Sequence, residues 1–239
     1  MSVALHTFSG RRFLFAAAIA GALAGGCRHV DPAVKRSARV TNVLVDTRQS
    51  LVASEQTVAE SQAAMRTLRE STGDLRPSFA VFIEELNAVR QQAERLRRES
   101  ELVRDQADVY CAGRTSDIST ITNEEMRRAA ELRTARMRER CDHINEMYKQ
   151  INSGFDRYVR DLTDLRTFLA SELNYGALES GQRWFDEALG SGETLRGNIR
   201  GLGLQVDLAS NLLSPVPIPT TQWPDPLRPP VAFAETENE

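Results

Sequence analysis

The sequence predicts an all-α protein, an elongated antiparallel bundle of three to four long helices with coiled-coil seams. Three observations predict it. The 239-residue chain is 41% hydrophobic and 26% charged with a mean hydropathy of −0.38, and it lacks alternating Val/Ile/Thr runs. Its turn formers are sparse: of 14 glycines, Gly10, Gly21, Gly25 and Gly26 fall ahead of Cys27. Apolar residues then recur at alternating three- and four-residue steps from about residue 37 to residue 213, the spacing that packs helices knobs-into-holes.

The first 26 residues stand apart. Arg11 and Arg12 are followed by an apolar run, Phe13 to Leu23, and then by the small residues Ala24, Gly25 and Gly26 before Cys27. A bilayer-spanning helix needs about 20 apolar residues, so this stretch is too short to span and has the layout of a secretory signal peptide. LAGGC (23–27) resembles the lipobox of bacterial lipoproteins, in which the cysteine thiol is acylated and the chain is cut just before it. Leu23 stands one position further from Cys27 than that pattern has, and Ala24 takes its place. The resemblance implies a signal peptide over 1–26, lipidation at Cys27 and a bacterial cell-envelope location facing the periplasm or cell exterior. An ordinary secretory signal or a short anchor is the alternative. Residues 27–36, with Pro32, are expected as a spacer.

The bundle occupies 37–213. A first helix, about 34–71, carries Leu44, Leu51, Val58 and Met65 in one row and Val40, Thr47, Ser54, Ser61 and Leu68 in the other. Gly73 and Asp74 end it and cap the next. The second helix, about 77–112, has Phe79, Leu86, Ala93, Ser100 and Ala107 beside Phe82, Val89, Leu96, Val103 and Tyr110. The third opens at TNEE, capped by Thr122 or Asn123, and runs to about Leu173. Its rows are Ala130 to Leu165 and Thr134 to Leu169, each read at seven-residue steps. After the turn signal NYG (174–176), a fourth helix over 177–213 aligns Phe185, Gly192, Ile199, Val206 and Leu213 with Ala188, Leu195, Leu202 and Ala209. Its glycines cost up to about 1 kcal/mol each in an exposed helix, unless one lets a neighbour approach closely. Short connections make neighbouring helices antiparallel; a dimeric coiled coil is the competing assembly. Residues 214–239 hold seven of the nine prolines and are expected to form a disordered tail or a partner-binding segment.

Two stretches, LRPSFAVFIEELNAVRQQAERLRRESELVRDQA (75–107) and FDRYVRDLTDLRTFLASELNYGAL (155–178), resemble an uncharacterised bacterial family of predicted coiled-coil lipoproteins, a domain of unknown function. The likeness runs over about residues 40–210. It implies a helical envelope protein and brings no activity, ligand or catalytic residue.

Chemistry-bearing clusters are few. Cys111 and Cys141 are an even pair that an oxidising periplasm could join. A hairpin turn near residue 122 would offset them by about 12 Å, beyond the reach of a disulfide, and so favours two free thiols. With three histidines and no Glu-x-x-His or HExxH, neither a metal nor a cofactor is expected, and the chain is read as having no enzymatic activity. Arg127, Arg128, Arg133, Arg136, Arg138 and Arg140 crowd the third helix, but the acids among them read as a solvated ion-paired face. The net charge of −3 becomes −5 once Arg11 and Arg12 are removed, so a nucleic-acid partner is not expected. The expected role is a lipid-anchored structural or protein-interaction module. Its partners are the membrane, through Cys27, and an envelope protein or a second copy of the chain. The alternative is a bundle that binds lipid or another hydrophobic ligand by opening its glycine-rich fourth helix.

Overall fold

The computed structural model describes residues 31–213. The signal peptide expected over 1–26, Cys27, and the proline-rich tail expected over 214–239 lie outside the described residues. Among the described residues there are five helices: α1 (Pro32–Arg69), α2 (Leu75–Ser119), α3 (Glu124–Ser171), α4 (Tyr175–Ser180) and α5 (Gln182–Leu213).

Each long helix starts where the local chemistry favours it. Asp31 caps α1, its carboxylate accepting from Ala33 N at 2.7 Å, and Pro32 fills the first helical position, where no N–H is needed. Helix therefore begins at Pro32, inside the stretch expected as a spacer. Asp74 caps α2 by accepting from Arg76 N at 3.1 Å. Of the two residues expected to cap α3, Asn123 does so, accepting from Met126 N at 2.9 Å, with Glu124 and Glu125 against the positive helix end.

Two boundaries differ from expectation. Helix α2 continues to Ser119 instead of ending near residue 112. Gly113 lies within this extension and leaves room for the Arg36 side chain to cross: a Cβ there would lie 2.6 Å from Arg36 Nε. Arg36 then reaches Asp117 one turn further on. The expected fourth helix is divided at Gly181 into α4 and α5, and it starts at Tyr175, capped by Asn174, whose side chain accepts from Ala177 N at 2.8 Å.

Helices α1, α2, α3 and α5 close a ring in which each packs along two neighbours: α1 on α2 and α5, and α3 on α2 and α5. With 45 residues in α2 and 48 in α3, the longest helices run about 70 Å at about 1.5 Å per residue. The expected seams form the core. Leu51, Val58 and Met65 of α1, Phe82 and Leu86 of α2, Ile151 and Phe155 of α3, and Phe185 and Ile199 of α5 are fully buried. Gly192 is the seam glycine that admits a close neighbour, since a Cβ there would meet Tyr158 Cε2 at 2.9 Å and Gln62 Nε2 at 2.8 Å. Burying each large side chain is worth about 1.5–3 kcal/mol, and among the described residues the ring leaves no long helix with an uncovered seam.

Candidate functional site

The principal cleft lies beside the last turns of α5. Arg140 Nη1 donates to Gln205 at 3.4 Å and Asp161 accepts from Ser191 at 2.9 Å, which fixes how α3 runs past α5. By that register α5 ends at Leu213 while α3 continues back to Glu124. Arg133, Arg136 and Arg140 thus lie beside the last turns of α5, and among the described residues the space between these turns and α2 is open. The resulting cleft has a volume of about 780 Å³.

Its lining is basic on one side and apolar on the other. Arg133, Arg136, Arg140 and His143 come from α3 and Arg114 from α2; Glu139 is the one carboxylate. Tyr110, Met137, Leu212 and Leu213 supply the apolar wall. None of these four guanidinium groups makes an ion pair among the described residues. Arg140 also has a buried Nε–H without an acceptor. A buried donor left unmade costs about 1–3 kcal/mol, and among the described residues this one has no acceptor. Half-buried Tyr110 has its phenol pKa raised, chiefly by desolvation, with Arg114 opposing. Leu212 is 61% exposed and continues a row with Leu204 and Leu208, also exposed on the outer face of α5.

The arginine-rich stretch of α3 therefore divides. Arg127 and Arg128 pair with Glu131 (4.0 Å) and Glu124 (2.5 Å) as a solvated face, as the sequence suggests. Arg133, Arg136 and Arg140 line the cleft instead. Sequence reasoning missed Arg114 and Leu212, which reach the cleft from other helices and carry no local signal.

A smaller cleft of about 320 Å³ lies toward the other end of α3, between Asp161, Asp164, Glu187 and the Phe168–Trp184 pair. Those rings meet edge to face at 4.8 Å between centroids. Asp161 is already held by Ser191.

Cys111 and Cys141 are both free and buried. The expected 12 Å offset is corrected by the register of α2 and α3. Arg97 pairs with Asp156, and Arg90 donates to Thr163 at 2.7 Å. Counting from these pairs toward the turn places Cys111 opposite residue 142, beside Cys141, because α3 overshoots the end of α2. The Cys141 thiol is pushed up to about 12, chiefly by burial and then by neighbouring Cys111, so it is held protonated and unreactive.

Among the described residues no cluster of His, Cys, Asp and Glu is placed to hold a metal ion, and no helix is long and apolar enough to cross a membrane. No protein-family model, curated protein or solved structure matches the chain.

Proposed function

We propose that this chain is a lipid-anchored helical bundle of the bacterial cell envelope with a structural or protein-interaction role and no catalytic step. The observation that carries the reading is the succession of Arg11–Arg12, the Phe13–Leu23 apolar run and LAGGC, followed within a few residues by the first helix of the bundle at Pro32. Acylation of Cys27 would tie the bundle to a membrane through a leash of four residues, at most about 14 Å when extended. Two or three acyl chains hold stably where one would not. The bundle beyond the leash is a closed ring with its seams buried, a form suited to presenting surfaces to an envelope protein or a second copy of the chain.

The test is metabolic labelling in a bacterium with a fatty-acid probe. The wild-type chain is expected to label and Cys27→Ala to lose the label; equal labelling of the two defeats the proposal. A second reading, a bundle that takes a lipid or another hydrophobic ligand, is favoured by one observation, the half-apolar cleft beside α5. Organic extraction of protein purified without detergent, followed by mass spectrometry, would return a bound hydrophobic ligand on this reading, and an empty protein counts against it.

A further inference from the structure

We infer that the cleft among Arg114, Arg133, Arg136, Arg140 and Leu212 binds the headgroup of an anionic phospholipid, with the apolar wall and the leucine row of α5 against the acyl region. The inference concerns the cleft's own chemistry. It rests on the anchored reading only for bringing this end of the bundle to a membrane.

Three observations carry it. The first is charge. The cleft gathers four guanidinium groups and one carboxylate in a chain whose net charge is −3. Such planar forked donors match phosphate oxygens better than any other side chain. The buried Nε–H of Arg140 lacks an acceptor that a phosphate oxygen would supply. A free anion would satisfy this part of the cleft.

The second is the apolar wall, which a free anion has no use for. Met137 and Leu213 are buried at the base, and Leu212 is 61% exposed at the rim. Leu208 and Leu204 extend the rim along α5 and are 47% and 54% exposed. A basic face beside an exposed leucine row is the chemistry of a surface that sits at the headgroup–acyl boundary.

The third is position. The Ser37 hydroxyl donates to the Leu213 carbonyl at 3.1 Å, which ties the start of α1 to the end of α5. The cleft thus opens at the end of the bundle where α1 begins, near Asp31. Three residues separate Asp31 from Cys27, so an acylated Cys27 would hold the cleft close to the bilayer surface.

The full chain carrying Cys27→Ala, which cannot be acylated, is tested for co-sedimentation with phosphatidylglycerol–phosphatidylcholine vesicles and with phosphatidylcholine vesicles. Binding to the first and not the second is expected. Each basic residue at an anionic surface contributes about a factor of five, so Arg133→Glu with Arg136→Glu should weaken binding by at least about tenfold. Both side chains are exposed, and an unchanged melting temperature confirms folding. If that pair perturbs the fold, Arg133→Gln with Arg136→Gln replaces it, with a smaller loss in the same direction. Arg160→Glu with Arg166→Glu, exposed on α3 away from the cleft, should leave binding unchanged. Leu212→Gln should weaken it. Equal loss from both arginine pairs, no binding to anionic vesicles, or full displacement by millimolar inorganic phosphate would each overturn the inference. The last result would mark a site for free anions. Fatty-acid labelling of Cys27 succeeds or fails independently of all these outcomes.

Discussion

Helices α1 and α3 are both lined by heptad rows, yet they contribute to the ring in different ways. The α3 seam is apolar and aromatic, with Ile144, Tyr148, Ile151, Phe155, Tyr158 and Leu162 at or near complete burial. The α1 seam alternates apolar residues with Thr47, Ser54, Ser61 and Gln62, equally buried. Three of these polar groups find a specific partner on another helix. Ser54 accepts from Gln92 at 2.8 Å, Ser61 shares a 2.7 Å hydrogen bond with the Tyr158 hydroxyl, and Gln62 donates to the Leu189 carbonyl at 2.8 Å. Flanking them, Arg48 pairs with Asp207 at 3.0 Å and Arg196 with Glu55 at 2.5 Å. An apolar seam tolerates sliding by a heptad; a row of dedicated hydrogen bonds does not. Helix α3 thus buries more and larger apolar side chains than α1, while α1 sets which helices adjoin it and at what level.

The strongest way to break this division is Phe155→Ala on α3. Removing a fully buried ring with no route for collapse should cost about 3–5 kcal/mol, read from chemical denaturation. Glu55→Ala should cost less, about 2–3 kcal/mol, because Arg196 keeps Glu193 at 3.0 Å and Gln62 at 3.3 Å when its buried partner goes. A larger loss at Glu55 than at Phe155 would contradict the assignment of stability to α3. The smallest effect sharpens the contrast through pH. The Cys141 thiol on α3 ionises near 9.0 when exposed and is pushed up to about 12 in the fold. The proton is therefore bound more tightly in the folded chain. The stability this brings is complete below pH 9.0 and is lost as pH climbs toward about 12. At about pH 10 the loss should be about 1 kcal/mol relative to about pH 8, and Cys141→Ala should flatten that slope. Denaturation midpoints at the two pH values measure it.

The seams were legible in the sequence because a helix repeats its neighbours every seven residues, and every row expected on α1, from Val40 to Leu68, is buried. The small polar residues of α1 were visible as members of the seam, but their partners were not, since pairing Ser61 with Tyr158 requires the register between distant helices. The same gap explains the cysteines. The turn was expected in the right place, yet the offset followed from assuming that both helices stop level with it. The expected end of α2 near residue 112 falls just before Gly113, whose local cost is visible in the sequence, whereas the arginine that crosses it comes from residue 36. The cleft is the extreme case. Arg133, Arg136 and Arg140 were noticed as part of a charged face, but what separates them from Arg127 and Arg128 is where a different helix stops.

The hydrogen bond between Ser37 and Leu213 has a mechanical consequence. Since α1 starts where α5 ends and the two lie side by side, a pull that separates residue 32 from residue 213 opens that seam from one end, one turn at a time. Each step loads a single layer of side chains, beginning with this hydrogen bond and reaching the Arg48–Asp207 pair only a few turns later. A pull between residue 32 and the start of α5 at Gln182 would instead load all those layers in parallel, as shear. Force entering through the start of α1 thus meets a zipper in one direction and a lap joint in the other, and the ion pair at Arg48 is where the zipper first stiffens.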